Sequence, residues 1–235
     1  MTAGPTSGYV LEPSITGVPV AGGDGRLFPV RRVLCVGRNY AEHAREMGHD
    51  AREPPFFFNK APDAVTTDPV VPYPPLTQNL HHEVELVVAI GREPASAAPD
   101  ALRAAIFGYA VGIDLTRRDL QAEAKKLARP WFLAKSFRGA APMGPLVPAE
   151  RAGHPRSGRI WLEVNGACRQ EGDLAQMIWS VEEITAELLR CDRLLPGDLV
   201  FTGTPAGVGA VRPGDVLRAG AADLPVLEVR IGPAG

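Results

Sequence analysis

The sequence predicts one mixed α/β domain, rich in strands and carrying a few short helices. Three observations lead there. The 25 Gly and 23 Pro among 235 residues imply many turns between short strands rather than a helical bundle. Short apolar runs are bounded by turn signals such as Asn165-Gly166, Pro196-Gly197-Asp198 and Pro213-Gly214-Asp215. Strands and helices do not alternate regularly, so a repeated βαβ layout is not expected.

The elements follow in order along the chain. Residues 1–30 carry only short apolar pieces (Tyr9-Val10-Leu11, Val18-Pro19-Val20, Leu27-Phe28) and read as an extension of turns and short strands ahead of a main domain over 31–235. Val33 to Val36 is a strand. A short helix follows, with Asn39 as N-cap, Glu42 three residues on and Gly48 as its stop. From His81 to Gly91 the residues alternate: Val84, Leu86, Val88 and Ile90 point one way, Glu83, Glu85, Val87 and Ala89 the other. Pro99 to Ile106 reads as helix and Gly108 to Leu115 as strand. Thr116, with Asp119 three residues on, opens a polar helix that stops before Pro130. Ile160 to Gln170 is a hairpin turning at Asn165-Gly166. Ser180 with Glu183 starts a helix whose apolar stripe is Val181, Ile184, Leu188 and Leu189. The two Pro-Gly-Asp turns each feed a strand.

Composition excludes several functions. With 45% hydrophobic and 22% charged residues and a formal net charge of −2, the chain is ordinary globular material long enough for one sizeable core. That charge gives no footprint for nucleic acid or an anionic membrane. No apolar run approaches the roughly 18 residues of a membrane span. Met1 to Gly8 has no basic stretch leading into an apolar one, so no leader is expected. Cys35, Cys168 and Cys191 lie far apart, which argues against disulfides and thiolate zinc and suits a reducing cytoplasm.

The strongest local chemistry is Glu83-Val84-Glu85. Period-2 geometry puts both carboxylates on one face, either as the solvated side of an edge strand or as a buried pair. The opposite face is aliphatic, and the acidic face itself turns apolar at Val87 and Ala89, which favours burial. Two buried carboxylates repel and suffer desolvation unless a hard cation such as Mg2+, Mn2+ or Ca2+ joins them. Asp114, at the end of a second strand, is either a third ligand or an acid opening the next helix. His43 and Glu46 share a face at i, i+3, as a general base with its orienting carboxylate or as an ordinary charged helix face. Arg118 and Gln121 share another, followed by Lys135, as a carboxylate clamp or a solvated helix. Phe201 to Gly209 is glycine-dense enough to cradle an anion, yet lacks the Lys-Ser/Thr of a phosphate loop.

These pieces occur together in one order: VLCVGRNYAEHAREMG (33–48), LHHEVELVVAIG (80–91), YAVGIDLTRRDLQAEAKK (109–126), RPWFLAKSF (129–137), WLEVNGACRQEG (161–172) and GDLVFTGTPAGVG (197–209). In them the chain resembles the fumarylacetoacetate hydrolase family, in its short acylpyruvate hydrolase branch. The stretch 45–65 is most similar to bacterial fumarylpyruvate hydrolases. The resemblance implies a β-roll fold, a homodimer, and metal ligands at Glu83, Glu85 and Asp114. It implies a water-activating dyad of His43 and Glu46, and a 2-oxo acid bound among Arg118, Gln121, Lys135 and Thr204. The expected partner is therefore a small 2-oxo or 2,4-dioxo acid, with Mg2+ as cofactor and Mn2+ or Ca2+ as stand-ins. A ligand set of three carboxylates over-neutralises a divalent ion, so an anionic substrate needs Arg118, Lys135 and Lys60. The expected reaction is hydrolysis at C3–C4, with Lys135 and the metal stabilising a pyruvate enolate. Oxaloacetate decarboxylation, a decarboxylase/isomerase of aromatic breakdown and a non-catalytic metal-binding relative are the alternatives.

Overall fold

The computed structural model describes residues 9–40 and 53–234. Its central sheet has six strands in the order Val147–Pro148, Ile106–Ile113, Val84–Ile90, Asp198–Phe201, Arg32–Gly37 and Phe56–Lys60. Asp198–Phe201 is the inserted strand. It runs antiparallel to Val84–Ile90, with Val200 opposite Val88, and parallel to Arg32–Gly37, with Leu199 opposite Val33. An outer sheet of five strands follows the order Ala167–Asp173, Arg159–Val164, Val216–Ala221, Leu227–Ala234 and Val70–Tyr73. With only short helices among the described residues, this is the mixed, strand-rich architecture expected.

Burial explains why Val84–Ile90 is a strand. Every one of its residues is buried. Val84, Leu86, Val88 and Ile90 enter the larger core beside Ile160, Leu162 and Leu217 of the outer sheet. Val87 and Ala89 enter a smaller core on the opposite face, with Val33, Cys35, Leu199 and Phe201. The alternation thus sorts side chains between two dry layers, each large aliphatic contributing about 1.5–3 kcal/mol by leaving water. Gly17–Pro19 and Leu27–Pro29 form a hairpin, and Val18, Phe28 and Val30 complete the smaller core.

Local signals held where side chains act on their own backbone. Ser180 and Glu183 form a reciprocal capping box at the start of helix Val181–Cys191. Asn165 (φ 52°) and Gly166 (φ 79°) are both left-handed, as a two-residue type I′ turn requires. The signal at Thr116 failed. Helix Arg118–Lys126 starts two residues later without a side-chain cap, and Thr116–Arg117 pairs instead with Leu80–His81. The Thr116 hydroxyl is already engaged, donating to the Asp114 carbonyl and accepting from Lys135. The single strand expected from His81 to Gly91 is also two. Leu80–His82 belongs to a small sheet with Thr116–Arg117 and Gly209–Val211, and Glu83 sits where the chain changes sheets. The helix expected after Asn39 falls mainly on 41–52, outside the described residues. No described helix is long and apolar enough to cross a membrane.

Candidate metal centre

Two adjacent antiparallel strands bring three carboxylates to one point. Val84 lies opposite Ile113. Glu83 and Glu85 flank Val84, Asp114 follows Ile113, and the Asp114 N–H donates to the Glu83 carbonyl at 2.7 Å. One oxygen from each of Glu83, Glu85 and Asp114 lies within 4.8 Å of the others. Their exposures are 6%, 2% and 0%, so the solvated-edge alternative is removed.

Cations surround this cluster. Lys135 Nζ donates to Glu83 Oε2 at 2.7 Å, Asp114 Oδ2 at 2.6 Å and Thr116 Oγ1 at 2.7 Å. Burial works against the Lys135 ammonium, but the charges of Asp114 and Glu83 outweigh it and hold its pKa above the usual lysine range. Lys60, buried, lies 2.7 Å from Asp114 Oδ1, at an angle that leaves that oxygen without a hydrogen bond. Arg118 pairs with the other oxygen of Glu83, and its Nη1 donates to Gln121 Oε1 at 2.6 Å. Its Nε faces His81 Nδ1 at 3.3 Å, while His81 Nε2 faces Asn79 Oδ1 at 2.9 Å. That network assigns a neutral His81 donating to Asn79 and accepting from Arg118. Burial first, and Arg118 second, push the His81 pKa down to about 4, consistent with the neutral form.

Glu85 is the costly member. Burial, then the charges of Asp114 and Glu83, push its carboxyl well above the ordinary range. Its Oε2 accepts from the Gly203 N–H at 2.6 Å. Gly203 has φ +95°, and a Cβ there would lie 2.6 Å from Asn39 Cβ. Gly203→Ala should therefore destabilise the fold by about 1–3 kcal/mol and move the donor away from Glu85. Urea unfolding with a metal titration checks both, and wild-type values would show that the glycine is dispensable.

The frame behind these residues was not foreseen. Asn39, read as a helix cap, is fully buried, donating to the Trp179 and Thr202 carbonyls at 2.9 and 2.8 Å and accepting from Trp179 N–H at 2.7 Å. Gln170 lies at the edge of the outer sheet. Its Oε1 accepts from Val84 N–H at 3.0 Å and meets His82 Nδ1 at 2.9 Å, and its Nε2 donates to Thr204 Oγ1 at 2.8 Å. One amide thus ties the carboxylate strand to the Thr204 loop. A buried polar side chain in a sequence is the weak signal that could have found it.

A cleft opens above the carboxylates. Glu83, Glu85, Arg118, Gln121, Lys135 and Thr204 line its inner end. Phe56, Phe58 and Trp131 form one wall, and Arg38 and Lys125 also border it. Every described residue expected to bind metal or 2-oxo acid is thus in one place, Asp114 among them through the carboxylate cluster. His43 and Glu46 lie outside the described residues. The donor set fits a hard divalent cation: three buried carboxylates, all-oxygen donors, and an Asp114 oxygen lacking a hydrogen bond.

The Fumarylacetoacetate (FAA) hydrolase C-terminal family profile matches residues 32–232. The chain belongs to the fumarylacetoacetate hydrolase family. Fumarylpyruvate hydrolase from Pseudomonas aeruginosa, crystallised with Mn2+ and pyruvate, shares 47% identity at a TM-score of 0.90, covering 96% of this chain and 99% of that one. The mitochondrial oxaloacetate tautomerase FAHD1 of Bos taurus is 42% identical over 192 residues, 81% of this chain and 86% of its own. The oxaloacetate tautomerase YcgM of Escherichia coli is 42% identical over 193 residues, 81% of this chain and 88% of its own. Membership in this enzyme family bears out the resemblance carried by the sequence motifs. The relatives divide between two chemistries on related small acids.

Proposed function

We propose that this member of the family is a divalent-metal-dependent hydrolase that cleaves an acylpyruvate, specifically fumarylpyruvate, to pyruvate and a carboxylic acid. The observation that carries the reading is the convergence of Asp114 with Glu83 and Glu85, the latter two lining a cleft together with Arg118, Gln121 and Lys135. Similarity to the Pseudomonas aeruginosa enzyme supports the substrate.

In this reading Glu83, Glu85 and Asp114 hold Mg2+ or Mn2+, which when bound supplies Lewis-acid polarisation of the 2-oxo acid. Arg118, Gln121 and Thr204 orient the substrate. His43, held by Glu46, takes a proton from water, which adds to the 4-carbonyl. The C3–C4 bond breaks, its electrons collect as the enolate of pyruvate, and the proton held on His43 passes to C3, releasing pyruvate and the carboxylic acid. Lys135 stabilises that charge as it develops, from a site where burial strengthens the interaction. The unit that does this is residues 31–235, acting as a homodimer.

Oxaloacetate chemistry, by tautomerisation or decarboxylation, is the second reading, favoured by the similarity to FAHD1 and YcgM. It uses the same chelation and enolate stabilisation without an attacking water. Turnover of fumarylpyruvate, acetylpyruvate and oxaloacetate, followed side by side by absorbance with and without Mg2+, separates the two. Oxaloacetate turnover with no cleavage of either acylpyruvate would remove the hydrolytic reading.

Arg118→Lys tests the clamp. Arg118 reaches Glu83 and Gln121 at once, and a lysine offers no planar fork to do so. The expected result is a loss close to that of Arg118→Ala. A raised KM alone would mark uniform binding, and a fall in kcat a role in the transition state. Parent-like kinetics in Arg118→Lys would overturn the clamp.

A further inference from the structure

One wall of the cleft is built from aromatic rings that each carry a cation. Lys135 Nζ lies 5.0 Å from the Phe58 ring centroid, Lys125 Nζ 5.2 Å from that of Trp131, and the Arg38 guanidinium 5.1 Å from that of Phe56. The rings brace one another, Phe56 edge-on to Trp131 at 5.2 Å and Phe58 to Trp131 at 5.7 Å. Phe56 is seated over Gly37, where a Cβ would fall 2.0 Å from the ring. The wall is therefore fixed, and with it a row of positive charge running outward from the carboxylates.

The inner cations have their partners. Lys60 pairs with Asp114, Lys135 with Glu83 and Asp114, and Arg118 with Glu83, so each of these three cations already meets a carboxylate. The two at the rim do not. Among the described residues Lys125 has no carboxylate contact, and Arg38 has only Glu53, 3.9 Å away and largely exposed. Arg38 also holds a left-handed backbone, φ 61°, which an L side chain rarely adopts without need. Burial, then the like charges of Arg118 and Arg38, push the Lys125 pKa below the lysine range, with Glu83 only partly opposing them. Surplus positive charge bordering a cleft, on a rigid apolar wall, has the form of an anion subsite.

We propose that Arg38 and Lys125 form a second carboxylate subsite, which selects dianionic 2-oxo acids whose far end carries a carboxylate over monoanionic ones of equal length. This rests on the reading of the cleft as a 2-oxo acid site, with the first carboxylate at the inner end. The apolar wall of Phe56 and Trp131 suits an extended, unsaturated or aliphatic linker between the two charges. Arg38 and Lys125 are specificity residues, set apart from the bond that breaks.

The test uses two inert ligands lacking a 4-oxo group, 2-oxoheptanedioate and 2-oxoheptanoate, titrated calorimetrically into the Mn2+-loaded protein. The parent should bind the diacid more tightly. In Lys125→Met, which keeps an apolar chain against Trp131, the ratio of the two affinities should fall about tenfold, the worth of one charge-assisted hydrogen bond. Lys125→Arg should restore it, and Lys125→Glu should reverse the preference. Equal affinities in the parent, or equal losses for both ligands in Lys125→Met, would overturn the subsite. A preference for the diacid in a protein that cleaves no acylpyruvate would leave the subsite standing and remove the hydrolase. Cleavage of acylpyruvates with no such preference would do the opposite.

Discussion

Glu85→Gln and Glu83→Gln should each weaken Mg2+ and Mn2+ binding by more than about 100-fold, since even residues one step removed from a metal commonly cost about 10–100-fold. Activity should fall with occupancy. An amide is a poor ligand for a hard cation, and each variant removes one of only three carboxylates. The two should part company once metal is stripped by chelator. Glu85 is pushed toward its protonated form by burial and by Asp114 and Glu83, so its ionisation costs the fold. A carboxyl whose folded pKa is raised contributes most below its unfolded value, here 4.5, and that contribution is lost as pH rises through the folded value. Metal-free Glu85→Gln should therefore melt above the parent near neutral pH and lose that advantage toward pH 4. Glu83 instead partners Arg118 and Lys135, and removing its charge leaves the buried Lys135 with Asp114 alone and takes from the half-buried Arg118 its carboxylate partner. Metal-free Glu83→Gln should melt below the parent. Calorimetric titration and melting curves across pH read all of this. Unchanged metal affinity in both variants would remove the glutamates from the site.

His43→Ala should lower acylpyruvate cleavage by about 100-fold or more, the usual worth of a positioned general base. Hydrolysis requires a water that has lost its proton, and in the proposed mechanism His43 takes it. Metal affinity should be untouched, because in the proposed centre the three carboxylates supply the ligands and His43 is not among them. Oxaloacetate decarboxylation needs chelation and a sink for enolate charge, so it should fall much less. Glu46→Gln should be milder than His43→Ala on cleavage. It keeps a hydrogen-bonding partner for the imidazole but loses the charge that supports the imidazolium. Both reactions, measured for both variants at saturating Mg2+, decide the matter. Equal loss of the two activities in His43→Ala would mean that the histidine positions substrate, and water activation would have to be assigned elsewhere.

What the sequence revealed depended on the range of the interaction. Ser180 with Glu183 and Asn165-Gly166 were legible because each acts within a few residues of itself. The alternation in Val84–Ile90 was legible because two dry layers impose it, residue by residue. Thr116 was misread as a cap because its hydroxyl answers to Lys135, nineteen residues away, before it answers to its own helix. Glu83, Glu85, Asp114, Arg118, Gln121 and Lys135 were found through motifs and then brought together by the fold. Gln170 and Asn39 escaped because their partners lie 34 to 163 positions off, and no local pattern announces such a bond. The aromatic wall escaped for the same reason, since Phe56 and Trp131 meet only in three dimensions.

The insertion of Asp198–Phe201 into the middle of the central sheet fixes the order in which the centre can mature. All three carboxylates precede residue 115, so they leave the ribosome well before their sheet can close. Until the late strand arrives, Val84–Ile90 and Arg32–Gly37 each face a gap, with backbone donors and acceptors unsatisfied along long apolar edges. The Gly203 N–H that meets Glu85 travels on the same late segment. A nascent or truncated chain ending before residue 198 therefore holds all three carboxylates on strands that pair with each other, but it lacks the Gly203 donor to Glu85 and presents two unpaired apolar edges. Closure of the central sheet and the backbone bond to Glu85 thus both wait until the chain has returned to thread the gap it left open.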